Sequence, residues 1–252
     1  MSRINLPAIL FGLAILAFWE VGARMIHNPF VPTLSATFAA LIANAGTIGM
    51  EMAATLRRAA IGLAITLATM IPFGILVGRI RTLGEIFEPL INLLRPLPPP
   101  AVAPIAMLFA GTGDGGKIAM IVFTCAFPVL ISTIDGVRAN HPMLTDVGRS
   151  LRLTRLENMM LIDLPAASPI IMTGIRLAVA AALLVSVVSE MLLTTNGIGV
   201  YLLRSQENFR IADGLAGVVV VAIVGVLVNA LFQWLDRRLL AWHHATTGGH
   251  GR

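Results

Sequence analysis

Apolar residues run along this chain in long blocks divided by short polar breaks, and they do not alternate one by one with polar residues. The blocks cover 6–23, 52–78, 85–110, 117–139, 168–193 and 214–235. An α-helix needs roughly 20 apolar residues to cross a bilayer, and a barrel strand would alternate. The pattern therefore predicts an all-α membrane protein with six transmembrane helices, as a single domain over 1–252. Trp19 marks an interfacial end of the first block. Glu20 belongs either to the headgroup zone or to an internal pair with Arg24. A mildly amphipathic stretch, 33–46, is expected at the outer surface. In the second block Arg57 and Arg58 must lie near the interface or face protein, because at the lipid face each costs a few kcal/mol. Pro72 predicts a kink there.

The third block is interrupted. Pro96, Pro98, Pro99, Pro100 and Pro104 follow Arg95 closely, and no helix runs through three consecutive prolines, since each removes a donor and clashes with the preceding turn. Freed backbone groups at membrane depth need cover from protein or water, so Pro98 and its neighbours should face a bundle interior or cavity. Arg95 has two readings, a cation at the cytoplasmic edge or a charge on a transport path. Ser168-Pro169 reads as a helix cap with proline at the first helical position. Glu190, inside the fifth block, is an interface residue, a structural pair, or part of a gate or substrate path.

One stretch leaves the apolar pattern altogether. NHPMLTDVGRSLRLTRLENMMLIDLP, residues 140–165, is charged and helix-patterned. Pro142 suits a first helical position. Leu144, Val147 and Leu151 share a face, with Asp146 and Arg149 off it. Thr154 and Glu157 form a capping box, so a second short helix should start near Thr154 and end at Pro165. The segment is either an amphipathic surface helix or a docking site for a soluble partner.

Composition agrees with the pattern: 57% of residues are hydrophobic and 12% charged, against about 25% charged in soluble domains. The mean hydropathy is +0.86. A net charge of +5 fits cytoplasmic loops and not nucleic-acid binding. With the N-terminus inside, the cytoplasmic segments hold Arg3, Arg79, Arg81, Arg138, Arg149, Arg152, Arg155, Arg237, Arg238 and Arg252. The outer ones hold Arg24, Lys117, Arg204 and Arg210. That asymmetry puts both termini and 140–165 in the cytoplasm. The lone Cys125 excludes an intrachain disulfide. The five histidines are not clustered inside spans, so neither a metal site nor catalytic residues are expected.

The polar segment resembles the cytoplasmic EAA loop of permease subunits of bacterial ABC importers. Asp146-Val147-Gly148 stand in the Glu-Ala-Ala places, and Ile162-Asp163-Leu164-Pro165 supply the Ile-x-Leu-Pro ending in register. Arg152 departs from the pattern, which has glycine at this turn; there it carries strain, or the turn differs, or it adds a salt bridge to a partner. The likeness extends from about Thr55 to Trp242. It takes in Leu94-Arg95-Pro96-Leu97-Pro98, Phe109-Ala110-Gly111-Thr112-Gly113, Ser189-Glu190-Met191-Leu192, Gly197-Ile198-Gly199-Val200-Tyr201 and Asp236-Arg237-Arg238. These look like the subgroup importing nitrate, taurine and aliphatic sulfonates, which also includes carriers of thiamine-precursor pyrimidines and aromatic acids.

The resemblance implies a bacterial inner-membrane permease that works with a second permease copy, two ATP-binding subunits and an external substrate-binding protein. The chain has no GxxxxGK[ST] phosphate loop, so ATP and Mg would be bound by the partner subunit and this chain would hold no cofactor. The ATPase-coupling residues would be Asp146, Gly148, Arg149, Leu151, Arg152, Leu153, Arg155 and Leu156. Arg58, Arg95, Pro98 and Glu190 are the candidates for a translocation path. A stand-alone secondary transporter or channel would also fit buried charges in six spans, and a membrane-embedded enzyme is the third class.

Overall fold

The computed structural model describes residues 6–26, 28, 30–139, 143, 147–148, 150–193 and 196–239. Among them the regular structure is entirely helical: α1 (Leu6–Ile26), α2 (Leu34–Ala43), α3 (Ala45–Arg79), α4 (Arg81–Leu94), α5 (Pro99–Ala110), α6 (Asp114–Arg138), α7 (Arg155–Asn158), α8 (Leu164–Leu192), α9 (Ile198–Glu207) and α10 (Ile211–Leu239). A π-helical turn, Met159–Asp163, joins α7 to α8.

The helices α3, α6, α8 with its π turn, and α10 are long and apolar enough to cross a membrane. The pair α4–α5 is bent by 106° at its break and can be counted as a fifth, broken span. The break falls where the prolines require it. Pro98 caps α5 in extended conformation, and Pro99 and Pro100 occupy its first turn, where a missing N–H has no helical partner to lose. Pro72 lies within α3 without ending it.

Helix α6 is the centre of the molecule and packs along both α3 and α8. Met120, Ile121, Cys125 and Val129 on α6 are fully buried, with Ala178, Ala182 and Val185 of α8 against them. The approach of α8 is close because Gly174 lies on α6: a Cβ there would sit 2.5 Å from the Pro128 carbonyl oxygen and the Ser132 side chain. Small residues at such crossings let backbones pack tightly where no water drives helices together. Outward faces carry large exposed apolar side chains, among them Phe11 and Phe18 on α1 and Val226, Leu227 and Leu231 on α10. In water such a surface would drive aggregation; in hydrocarbon it is the solvated face.

Outside this core the elements are tied down by polar contacts. Glu20 pairs with Arg24 and also accepts from the Ser35 backbone N–H and hydroxyl, while Trp19 Nε1 donates to the Pro32 carbonyl at 3.2 Å. Arg176 on α8 reaches Asp236 on α10 at 2.7 Å.

Two sequence expectations are corrected. Pro165 does not end a helix, and Ser168 does not cap one. The chain stays helical from Arg155 to Leu192, with Pro165 in the first turn of α8 and the Ser168 hydroxyl donating back to the Pro165 carbonyl at 2.8 Å. The π turn explains the continuity. Leu164 N–H bonds Met159 O five residues back, which shifts the hydrogen-bond register just before the residue that cannot donate.

Candidate functional sites

The first site is a buried polar cluster, and α3 supplies its spine. Glu51, Thr55 and Arg58 are spaced four and three residues apart, so they share one helix face. Arg58 is fully buried. Its Nη1 lies 2.7 Å from Glu190 Oε1, its Nε lies 2.7 Å from Asp114 Oδ1, and its Nη groups also reach the backbone and side-chain oxygens of Asn196. Glu190, near the end of α8, is equally buried and accepts from the Thr55 hydroxyl at 2.9 Å and from the Gly199 N–H at 3.0 Å. Arg57 closes on Asp114 from the exposed side. Lys117, one turn along α6 from Asp114, donates to the Asn196 carbonyl at 3.1 Å. Glu51 accepts from Gly197 N–H, and Thr55 accepts from Ile198 N–H.

The cations Arg57, Arg58 and Lys117 thus sit among the carboxylates Glu51, Asp114 and Glu190. Buried charges are tolerated when they are paired and their remaining hydrogen-bonding capacity is filled, and both conditions hold for Arg58 and Glu190. The cluster binds α3, α6, α8 and the 196–199 turn into one unit. Gly197 makes it possible. Its φ is +117°, and a Cβ would fall within 2.1–2.3 Å of the Glu190 carboxylate.

Sequence reasoning singled out Arg58 and Glu190 but not the connection between them, and it missed Glu51, Thr55, Asp114 and Asn196. The stripe Glu51–Thr55–Arg58 in an apolar helix was the available signal. Arg95 and Pro98 lie elsewhere. Both are exposed, and Arg95 lines a cavity of about 130 Å³ with Glu88, Asn92, Asp135 and Arg138. Asp135 is 21 residues along α6 from Asp114, about 30 Å at 1.5 Å per residue, so the two groups occupy opposite ends of the bundle.

The second site is the polar turn. Asp146 and Arg149 lie outside the described residues, as do Pro142 and Leu144. Val147, Gly148 and Ser150 are helical. That helix is closed by Leu151 N–H to Val147 O and Leu153 N–H to Gly148 O, both 3.0 Å. The second bond spans five residues, as in a Schellman closure, and the residue inside it that turns left-handed is Arg152, with φ +51°. The turn therefore keeps the geometry that glycine favours although arginine occupies it, at a backbone cost of roughly 1–2 kcal/mol. Leu151 and Arg152 are exposed, whereas Leu153 turns inward toward a groove shared with Leu76, Arg79, Gly148 and Asn158.

The capping box forms. Thr154 N–H and hydroxyl both donate to Glu157 Oε2 at 2.7 Å, and Glu157 N–H returns to the Thr154 hydroxyl at 3.3 Å. Arg155 and Leu156 follow as the first residues of α7. The Thr154 side-chain and backbone hydrogen bonds hold the Glu157 carboxyl below its ordinary value of 4.5. A lowered folded value means that the cap is fully formed above the ordinary range and is lost as pH falls through the lowered one. The Thr154 amide NMR shift should accordingly titrate with a midpoint below 4.5; a midpoint at or above it would show the carboxylate free.

A chain of contacts fixes this turn to the core. Gly148 is buried against Asn158, whose side-chain amide donates to both Asp163 oxygens at 3.2 Å. Asp163 accepts from Arg79, the last residue of α3, at 2.8 Å. Helices α3 and α8 are thereby ion-paired near one end through Arg79–Asp163 and toward the other through Arg58–Glu190.

Known proteins share this architecture. The model of the family described as binding-protein-dependent transport system inner membrane component matches residues 70–241. The taurine transport system permease protein TauC of Escherichia coli (strain K12) is 31% identical over 250 residues, covering 96% of this chain and 90% of that one. The bicarbonate transport system permease protein CmpB of Synechococcus elongatus is 33% identical over 188 residues, 74% of this chain and 68% of its own. In a crystal structure of an amino acid ABC transporter with histidines, one chain superposes with a TM-score of 0.64 at 14% identity. It covers 80% of this chain and 98% of that one, a likeness of fold.

Proposed function

Because the chain belongs to the family of binding-protein-dependent transport system inner membrane components, we propose that it serves an ATP-driven importer as its permease, forming the path for a small anion. The names of its relatives support a cargo of the taurine or bicarbonate kind. On this reading two copies of the chain pair in a bacterial inner membrane with two ATP-binding subunits, which hold ATP and Mg, and an external substrate-binding protein delivers cargo. The whole chain is one permease domain with both termini cytoplasmic. Helix α1, 21 residues and about 32 Å long at 1.5 Å per residue, is the sixth span.

The coupling segment is 140–165, between the fourth and fifth spans. Asp146, Gly148, Arg149, Leu151, Arg152, Leu153, Arg155 and Leu156 form or support its docking face. The observation that carries this reading is the Arg79–Asp163–Asn158–Gly148 chain, which ties the turn to α3 and to the start of α8. A push on the turn by a closing ATPase dimer moves those two helices together, and the buried cluster carries the displacement to the outer end. Arg58 and Glu190 then act as the brace of the path. Arg95 and Pro98, at the bent α4–α5 break, are the residues that would meet a passing anion at the opposite end.

The test is assembly and coupling. The ATP-binding subunit should copurify with this chain in detergent, and reversing charge at Arg149 or Arg155 should leave ATP hydrolysis running while uptake falls at least tenfold. A chain that purifies alone and transports alone would be a secondary transporter, and unchanged uptake in both reversals would remove these arginines from coupling.

A further inference from the structure

We infer that Arg152 is a direct electrostatic contact to an acidic pocket on the ATP-binding subunit, and that the chain keeps a strained turn in order to present it. The inference rests on the reading of 140–165 as the docking segment. Three observations support it. The backbone at 152 is held left-handed from both sides, by the Leu153 N–H to Gly148 O bond before it and by the Thr154–Glu157 capping box after it. A glycine would occupy this conformation without strain, so nothing in the turn itself favours arginine. Nor does the fold use the side chain: it is exposed and, among the described residues, makes no ion pair.

The neighbouring charges sharpen the point. Glu157 is consumed by the cap, and Asp163 by Arg79 and Asn158. Among the described residues the turn thus satisfies its acids, Glu157 and Asp163, and leaves the Arg152 cation at its tip, beside the exposed Leu151. A cation flanked by an apolar side chain fits a partner pocket with a carboxylate at its base and an apolar lip. Strained residues that persist without a local benefit point to a functional constraint.

The experiment measures capture of the ATP-binding subunit by the full-length permease in detergent, at low and high salt, together with the melting temperature of each permease. Arg152→Ala keeps the strained backbone and removes the charge. Arg152→Gly removes both, and Arg152→Lys keeps the charge without the guanidinium fork. Both Arg152→Ala and Arg152→Gly should weaken capture about tenfold at low salt and reduce its salt dependence, with the lysine variant intermediate. Arg152→Gly should melt above Arg152→Ala, so weaker capture by the glycine variant does not reflect a damaged fold. Wild-type capture by Arg152→Ala and Arg152→Gly would overturn the assignment of Arg152 alone. Failure of the wild type to capture the ATPase would overturn the docking reading and this contact with it.

Discussion

Glu190→Ala should destabilise the permease by about 3–5 kcal/mol, read as a large fall in melting temperature in detergent and as faster proteolysis. Both members of the Arg58–Glu190 pair are fully buried, so removing the carboxylate leaves the guanidinium with one neutralising partner, the half-exposed Asp114. It also strips the acceptor from the Gly199 N–H and leaves the Thr55 hydroxyl only the Glu51 carbonyl to donate to. The reciprocal exchange, Arg58→Glu with Glu190→Arg, should not rescue. An arginine at 190 has no acceptor for the Gly199 N–H, and a glutamate at 58 would face Asp114 and the Asn196 oxygens with like polarity. Stability in that double variant equal to the wild type would show that the pair acts through charge alone and not as a hydrogen-bonded network. Wild-type stability in Glu190→Ala would remove the brace from the proposed mechanism.

Gly197→Ala should cost about 2–4 kcal/mol and abolish uptake, although it adds a single methyl group. Two independent penalties meet at this residue. Its backbone, φ +117° and ψ 166°, lies in a region open essentially to glycine alone. The added Cβ would also collide with the Glu190 carboxylate, which cannot withdraw without giving up Arg58 and Thr55. Relief by backbone movement would pull the Gly197 N–H from Glu51 and the Ile198 N–H from Thr55. A useful control is Gly49→Ala on α3, where a Cβ meets nothing within 4 Å and stability should stay within about 0.5 kcal/mol. Thermal melts of the two alanine variants side by side test the assignment, and equal melts would sink it.

Together these effects describe a bundle braced at both ends. Ion pairs tie α3 to the α8 segment at Arg79–Asp163 and again at Arg58–Glu190, 21 residues or about 30 Å back along α3, and α6 packs along both helices. On the proposed function, movement during transport is expected at the joints that lack such ties. The α4–α5 break, bent by 106° and lined by Arg95, is the prominent one.

The order of the residues was enough to determine what depends on near neighbours. Long apolar blocks gave four helices able to span a membrane and the bent α4–α5 pair, because backbone groups in hydrocarbon must bond within their own segment. Pro98, Pro99 and Pro100 gave the break between α4 and α5, and Thr154 with Glu157 gave the start of α7, because a proline's missing donor and a cap's reach both act within four residues. Ser168-Pro169 carried the same kind of signal and misled, since the π turn at Met159–Asp163 keeps the helix intact ahead of Pro165.

Tertiary structure alone decided which buried charges meet. Arg58 finds Glu190 across 132 positions and Asp114 across 56, and Glu51 finds Gly197 across 146. A stripe such as Glu51–Thr55–Arg58 announces that one face of a helix must be satisfied by something. Only the packing of α3, α6 and α8 supplies the partner, because the energy of a buried charge depends on the groups that surround it in space and not on those beside it in the chain.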